Sequence, residues 1–115
     1  MQVTIPHRLV TLNEYILKER GNRFAAANIK KKQTELCASY FRGVEVDTPT
    51  GLHFHWVLGN KRLDPDNMAF AKKFVLDGMI KAGVIANDNI DYITEFKDTF
   101  EIRKGVYEVV ISTIK

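Results

Sequence analysis

Asp64-Pro65-Asp66 constrains this 115-residue chain more than any other stretch. Proline at a first helical position forfeits nothing, because that N–H has no partner inside the helix. Asp64 before it suits an N-cap, with a carboxylate placed to accept from free backbone N–H groups. Asp66 falls in the first turn, where the helix dipole favours negative charge. Downstream, Met68, Ala71, Val75 and Met79 recur at helical spacing, with Phe74 and Ala82 beside them, and Gly83 stands where a helix C-terminal glycine belongs. Upstream, Leu52, Phe54, Trp56 and Leu58 alternate with His53, His55 and Val57, which predicts a strand. The chain must therefore accommodate a strand, a short basic loop with Lys61 and Arg62, and a helix that begins on two carboxylates.

The remaining elements follow from the same rules. Gln2 to Pro6 is β-branched and alternating, a first strand ended by proline. Thr11 with Glu14 forms a capping-box signature for a helix to Arg20. Asn22 to Phe41 reads as a second helix, its apolar set including Phe24, Ala27, Ile29, Leu36, Ala38 and Phe41. Val44 to Val46 suggests a short extended piece, and Thr48-Pro49-Thr50-Gly51 a turn. Tyr92 to Asp98 and Val106 to Ile114 predict two strands, joined around Arg103-Lys104-Gly105 in what resembles a hairpin turn. The order β, α, α, β, α, β, β predicts an α/β (α+β) fold, a single mixed sheet of about four strands with two to three helices packed on it. Residues 1–115 form one domain, with no repeat, linker or low-complexity segment.

Hydrophobic residues make up 45% of the sequence, enough for a core and too many for disorder. The formal net charge is +3 and the pI about 9.0, a balance that suits a polyanionic partner without requiring one. The single cysteine, Cys37, excludes an internal disulfide and a cysteine-rich zinc site, and its apolar neighbours predict a buried thiol. No apolar run approaches membrane-spanning length and no secretory leader is evident, so a cytoplasmic protein is expected.

The polar residues of the 65–82 helix are arranged as well. At about 100° per residue, Lys73 returns to within roughly 20° of Asp66, with Asp77 about 20° on the other side, while Lys72 points away. Lys73 can pair with Asp77, and Asp77 with Lys81, at i,i+4 spacing. Capping explains one aspartate; it does not explain two aspartates, a returning lysine and a third carboxylate, Asp88, after the helix.

This constellation resembles the RusA-like family of Holliday junction resolvases, metal-dependent endonucleases common in phages and prophages. The family pattern has Asp-x-Asp-Asn at a helix start, a lysine along the helix, an aspartate, an Ala-Gly ending and a closing acidic pair. Here these are Asp64, Asp66 and Asn67, then Lys73, Asp77, Ala82-Gly83 and Asp88. The interval from Asp66 to Lys73 is about one helical turn longer than in the shortest members, a spacing that still returns the lysine to the same helix face. Asn87-Asp88 replaces the acidic pair, so Asp88 alone carries that part of the match.

The resemblance implies a Mg²⁺-dependent endodeoxyribonuclease, with Mn²⁺ as a substitute, that resolves four-way DNA junctions by paired symmetric nicks. It implies Asp64, Asp66 and Asp88 as metal ligands, Lys73 as the catalytic cation, and Asn67 and Asp77 in support. It further implies a homodimer, a phage- or prophage-encoded protein in a bacterial cell, and neither a membrane nor a nucleotide cofactor. Hard oxygen ligands suit Mg²⁺, which keeps several waters, so two or three aspartates suffice. Lys61, Arg62, Arg8 and the run Lys30-Lys31-Lys32 are the expected DNA contacts, since ammonium and guanidinium groups on phosphates displace counterions; for the lysine run an ordinary solvated helix face is the competing reading. The alternative function is a non-catalytic, structure-specific DNA-binding protein of the same fold.

Other motifs carry less. His53 and His55 share a strand face, which allows a metal pair, but no third ligand is suggested nearby. His7 follows the first strand and either approaches DNA or is merely solvated. Glu95 and Glu101 receive no chemistry. An EF-hand loop is excluded because Met68 occupies a ligand position and no acidic residue closes the loop.

Overall fold

In a computed structural model that describes residues 1–114, the elements run β1 (Gln2–Ile5), α1 (Leu12–Gly21), α2 (Arg23–Phe41), β2 (Thr50–Leu58), α3 (Pro65–Ala69), α4 (Lys72–Lys81), β3 (Ile93–Ile102) and β4 (Glu108–Ile114). The fold is α+β, one mixed sheet of order β1-β4-β2-β3 under a helical layer. β4 runs antiparallel to both β1 and β2, and β2 runs parallel to β3. β1, β2 and β3 therefore point the same way, and their carboxyl ends share one end of the sheet.

The alternation read in β2 sets the layers. Leu52, Phe54, Trp56 and Leu58 are buried with Phe41, Phe74, Val75 and Met79 of the helices. His53 and His55 face the other, open side. α1 opens with the expected capping box: Thr11 Oγ1 accepts from the Glu14 N–H at 3.4 Å, and the Glu14 carboxylate accepts from the Thr11 N–H at 3.0 Å. α1 buries no residue fully; Tyr15 holds it to the helical layer by packing on Phe70 and Phe74.

α2 and α4 meet closely at Gly78. A Cβ there would stand 2.6 Å from Cys37 Cβ and 2.8 Å from the Ala38 N, so only glycine permits this approach. Cys37 is fully buried at that seam, as its apolar neighbours predict. The expected α2 core is corrected at its start. Phe24 is 75% exposed and Ala27 is exposed, and burial in α2 falls on Ala26, Cys37, Ala38 and Phe41.

Val44 to Val46, read as a short extended piece, joins no strand, and Val44 and Val46 pack against the core. Two further expectations change. The single helix expected over 65–82 is two, because the turn bonds Ala71 N–H to Met68 O and Lys73 N–H to Phe70 O tighten the backbone at Phe70-Ala71. α4 ends as predicted at Gly83, with φ +78°; the Gly83 N–H reaches Ile80 O and the Val84 N–H reaches Met79 O, closing the helix with a left-handed residue. Finally, β3 and β4 do not form a hairpin. They flank β2, and the segment between them crosses the end of β2, where the Arg103 N–H donates to Leu58 O and the Gly105 N–H to Gly59 O. Gly59 makes room for this crossing, since a Cβ there would lie 2.6 Å from the Tyr107 ring.

Candidate functional site

The parallel run of β1, β2 and β3 collects at one end of the sheet what the sequence scatters. His7 and Arg8 follow β1, Lys61, Arg62, Asp64 and Asp66 follow β2, and Arg103 and Lys104 follow β3. All of these are exposed. In open α/β sheets the carboxyl ends of parallel strands are where ligands bind, because loops there can converge without disturbing the core.

Asp64 and Asp66 sit side by side at the start of α3. Asp64 occupies the N-cap position with Pro65 after it, as the sequence suggests, but its side chain makes no capping bond. Its backbone carbonyl accepts from the N–H groups of Asn67 and Met68 instead, and the carboxylate is left free of that duty. Among the described residues neither Asp64 nor Asp66 forms a salt bridge. Asn67 is fixed differently, its Oδ1 accepting from the Asn13 N–H at 2.9 Å, which ties α3 to the first turn of α1.

The cations around them are partly ordered. Arg8 pairs with Glu14 at 2.9 Å and lies over the Tyr107 ring. On Glu14, burial raises the carboxyl pKa, but bonds from Thr11 and Arg8 outweigh it and the pKa falls below its usual value. Arg103 pairs with Glu101 at 2.8 Å. His7 bonds the Tyr40 hydroxyl of α2 at 2.7 Å. The Lys61 and Arg62 side chains form no ion pair among the described residues.

Asp88 lies elsewhere. α3 and α4 carry the chain from the carboxyl end of β2 back to its beginning, where Thr50 pairs with Ile93. Asn89 O accepts from the Ile93 N–H, which fixes Asp88 at that far end. Roughly 25 Å of strand separates the two ends. Within one chain Asp64 and Asp66 are together and Asp88 is apart, and among the described residues no three His, Cys, Asp or Glu side chains group as a metal site.

The three lysines of α4 also divide. Lys73 is exposed and stands 4.0 Å from Asp77, the expected i,i+4 pair. Asp66 and Lys73 are both exposed, on either side of the tightened turn at Phe70-Ala71. Lys72 is enclosed: its Nζ is 2.6 Å from Asp98 and lies over the rings of Phe54 and Phe96, while Asp98 also accepts from Trp56 Nε1 at 2.8 Å. Lys81 reaches Glu35 of α2 at 3.6 Å rather than Asp77. Lys30 and Lys31 line a shallow groove between α2 and α4 with Asp77 and Lys81, whereas Lys32 is exposed outside it.

On the open face of the sheet, both histidines of β2 bond Thr99 Oγ1, His53 Nε2 at 2.6 Å and His55 Nδ1 at 2.7 Å. His55 Nε2 also meets Glu101 at 2.8 Å. Burial, with Lys97 and His55 nearby, lowers the His53 pKa, and bonds from His55 and Arg103 lower that of Glu101. The sequence reading left out Glu101, Arg103 and Lys104. The signal was present, since a strand after a crossover helix returns parallel and ends beside the Asp64 loop, but the hairpin reading concealed it.

No known family model matches this sequence, and no curated protein matches it.

Proposed function

We propose that this protein is a metal-dependent endodeoxyribonuclease acting on four-way DNA junctions as a homodimer. The observation that carries the reading is the Asp64-Pro65-Asp66 helix start, whose carboxylates are spent neither on capping nor on ion pairs and which stands among Arg8, Lys61, Arg62, Arg103 and Lys104. Two like charges held side by side with no cationic partner favour a bound cation. The donor set consists of hard oxygens and suits Mg²⁺.

Mg²⁺ held by Asp64 and Asp66 would supply charge neutralisation at a phosphodiester and a water of lowered pKa. The chain's own groups do the rest. Lys61 and Arg62 hold phosphates beside the carboxylates, and Arg103 and Lys104 extend that contact across the end of β3. Asn67 keeps α3 docked on α1, so the two aspartates are presented on a rigid turn. Lys73 is an exposed lysine near the start of α4, available to developing negative charge. A homodimer suits a two-fold symmetric junction, because it offers one centre to each of two strands. Selectivity would then rest on backbone shape, since phosphate contacts carry no sequence directly.

The separation of Asp88 from Asp64 and Asp66 favours a second reading, a junction-binding protein that does not cut. A nicking assay on a synthetic four-way junction and on linear duplex, with Mg²⁺, Mn²⁺ or EDTA, decides between them. Junction-selective paired nicks that EDTA abolishes support the nuclease; binding without cleavage under all conditions supports the second reading. Asp66→Asn is expected to keep the fold and junction binding while losing cleavage. Lys61→Ala with Arg62→Ala is expected to weaken binding across junction sequences and to lower the slope of log affinity against log salt by about 2.

A further inference from the structure

The open face of the sheet carries a second group of ligand-type side chains, distinct from the Asp64–Asp66 pair. His53 and His55 stand on β2, and the parallel β3 sets Lys97 opposite His53, Thr99 opposite His55 and Glu101 opposite Val57. His53, His55, Thr99 and Glu101 are half-buried, and Lys97 is exposed.

The two imidazoles converge. His53 Nε2 lies 2.6 Å and His55 Nδ1 2.7 Å from the same atom, Thr99 Oγ1. The proton positions follow by elimination. The Glu101 carboxylate only accepts, so His55 Nε2, 2.8 Å from it, carries a proton. In neutral His55 the Nδ1 lone pair then faces Thr99, whose hydroxyl donates to it and accepts from the His53 Nε2–H. Glu101 is held in turn by Arg103, whose Nε is at 3.2 Å and Nη2 at 2.8 Å.

Such a setting prepares a histidine to bind a metal. A ligating imidazole almost always gives its other N–H to a carboxylate, carbonyl or water, which fixes the tautomer and raises the basicity of the free nitrogen. His55 meets that condition, with Glu101 behind it and its Nδ1 lone pair aimed at the point that His53 also faces. The sequence suggests no third ligand near the two histidines; the fold supplies one, Thr99 Oγ1, from the neighbouring strand. We infer that His53 Nε2, His55 Nδ1 and Thr99 Oγ1 form a site for one divalent transition ion of the Zn²⁺ class, with Glu101 and Arg103 as its outer support.

The ion type follows from the donors. Imidazole suits Zn²⁺, Ni²⁺ and Cu²⁺, whereas Mg²⁺ takes hard oxygens. This site and the Asp64–Asp66 pair therefore select different ions, and the inference does not rest on the nuclease reading. Ligands about 2.0–2.1 Å from a tetrahedral zinc stand about 3.3 Å apart, so the two contacts to Thr99 open by roughly 0.6 Å each to admit it. His53 passes its proton to Nδ1 as the ion binds. Lys97 keeps its charge in solvent on a flexible stem, and water fills the remaining coordination. With ligands from both β2 and β3, the ion bridges the edge strand to its neighbour.

Calorimetric titration of the full chain with Zn²⁺ tests the site, in excess Mg²⁺ to occupy hard-oxygen positions. One equivalent per chain is expected. His53→Gln and His55→Gln are each expected to weaken binding at least tenfold, and Glu101→Gln about tenfold, as loss of an outer partner does. His7→Gln, which removes the third histidine of the chain, is expected to leave the affinity unchanged. Should a variant fail to fold, the wild type still decides: on adding Zn²⁺ the ring resonances of His53 and His55 are expected to shift together while those of His7 stay. No saturable binding below about 1 mM Zn²⁺ overturns the site. So does an equal loss in His7→Gln and His53→Gln, or a shift of only one of the two rings. Unchanged affinity in Glu101→Gln overturns the outer support.

Discussion

Over β1, β4 and β2 the helix-facing residues Ile5, Val109, Ile111 and Trp56 are at most 1% exposed, while over β3 Phe96, Phe100 and Ile102 keep 37–48%. The strand pattern is the same on both flanks; the cover differs. α2 contacts β1, and Gly78 draws α4 against α2, so the helical layer is pulled toward one side of the sheet. The two edges differ in kind as well. β1 has four residues and stops at Pro6, a blunt edge, whereas β3 has ten with no proline or glycine. One flank is closed by the chain itself, and the other leaves a long edge with a partly exposed apolar stripe.

Variants on the two flanks should therefore fail differently. The largest effect belongs to the closed side. Phe41→Ala, at a fully buried position, is expected to cost about 3–5 kcal/mol in urea unfolding. Gly78→Val follows at about 3 kcal/mol, because the added carbons meet Cys37 and the α2 backbone and neither helix can withdraw without opening the core. Lys72→Met lies on the border between the flanks. It removes one partner of Asp98 and leaves the Trp56 bond, for an expected loss of about 1–3 kcal/mol. On the open side, Phe96→Ser is expected to cost less than about 1 kcal/mol measured on the monomer, its ring being half in solvent already. Equal losses for Phe41→Ala and Phe96→Ser would erase the distinction between the flanks.

Acid should act most gently, and on the β2–β3 face. His53 has a pKa below its usual 6.5, so as pH falls through 6.5 the unfolded chain takes the proton first and stability declines until the folded form protonates too. Glu101 has a pKa below its usual 4.5, so its contribution is complete above 4.5 and disappears as pH drops through the lowered value. Melting temperatures followed from pH 7 to 3 are expected to show two small declines, the upper removed by His53→Gln and the lower by Glu101→Gln. Cys37 gives a contrasting readout on the closed flank. Burial, with the charge of Asp77 nearby, pushes its thiol up to about 12, so it is expected to resist thiol reagents until the chain unfolds.

Most of the fold was legible because its signals are local. The capping box at Thr11 and Glu14, the β2 alternation and the Gly83 stop each rest on neighbours a few residues apart. The errors fall where a distant residue decides. Nothing within β3 and β4 says that β2 lies between them; that depends on Gly59 making room for Tyr107. Nothing in 65–82 marks the break at Phe70-Ala71, since no proline or glycine stands there. For Lys72 the sequence shows only that it points away from Asp66, because the partners that enclose it, Phe54, Phe96 and Asp98, come from two strands distant in the chain. At the candidate site the pair Asp64 and Asp66 is readable from the helix start. The distance to Asp88 follows only once the crossover is known to return the chain to the far end of β2.

The placement of β4 has a consequence for how this protein is made. Residues 108–114 lie between β1 and β2, with Val3 beside Ile111 on one side and Phe54 beside Ile111 on the other. As the chain leaves the ribosome, β1, β2 and β3 can all be synthesised and still leave β1 with no neighbour, because the strand that joins it to the sheet has yet to emerge. Until then α2 has an incomplete surface to settle on, and Ile5, Phe54 and Trp56 lack the partners that bury them. Such long-range closure is slow compared with local helix formation. Nascent chains halted before residue 108 are therefore expected to be sensitive to protease, and those carrying 108–114 clear of the exit tunnel to become resistant in a single step.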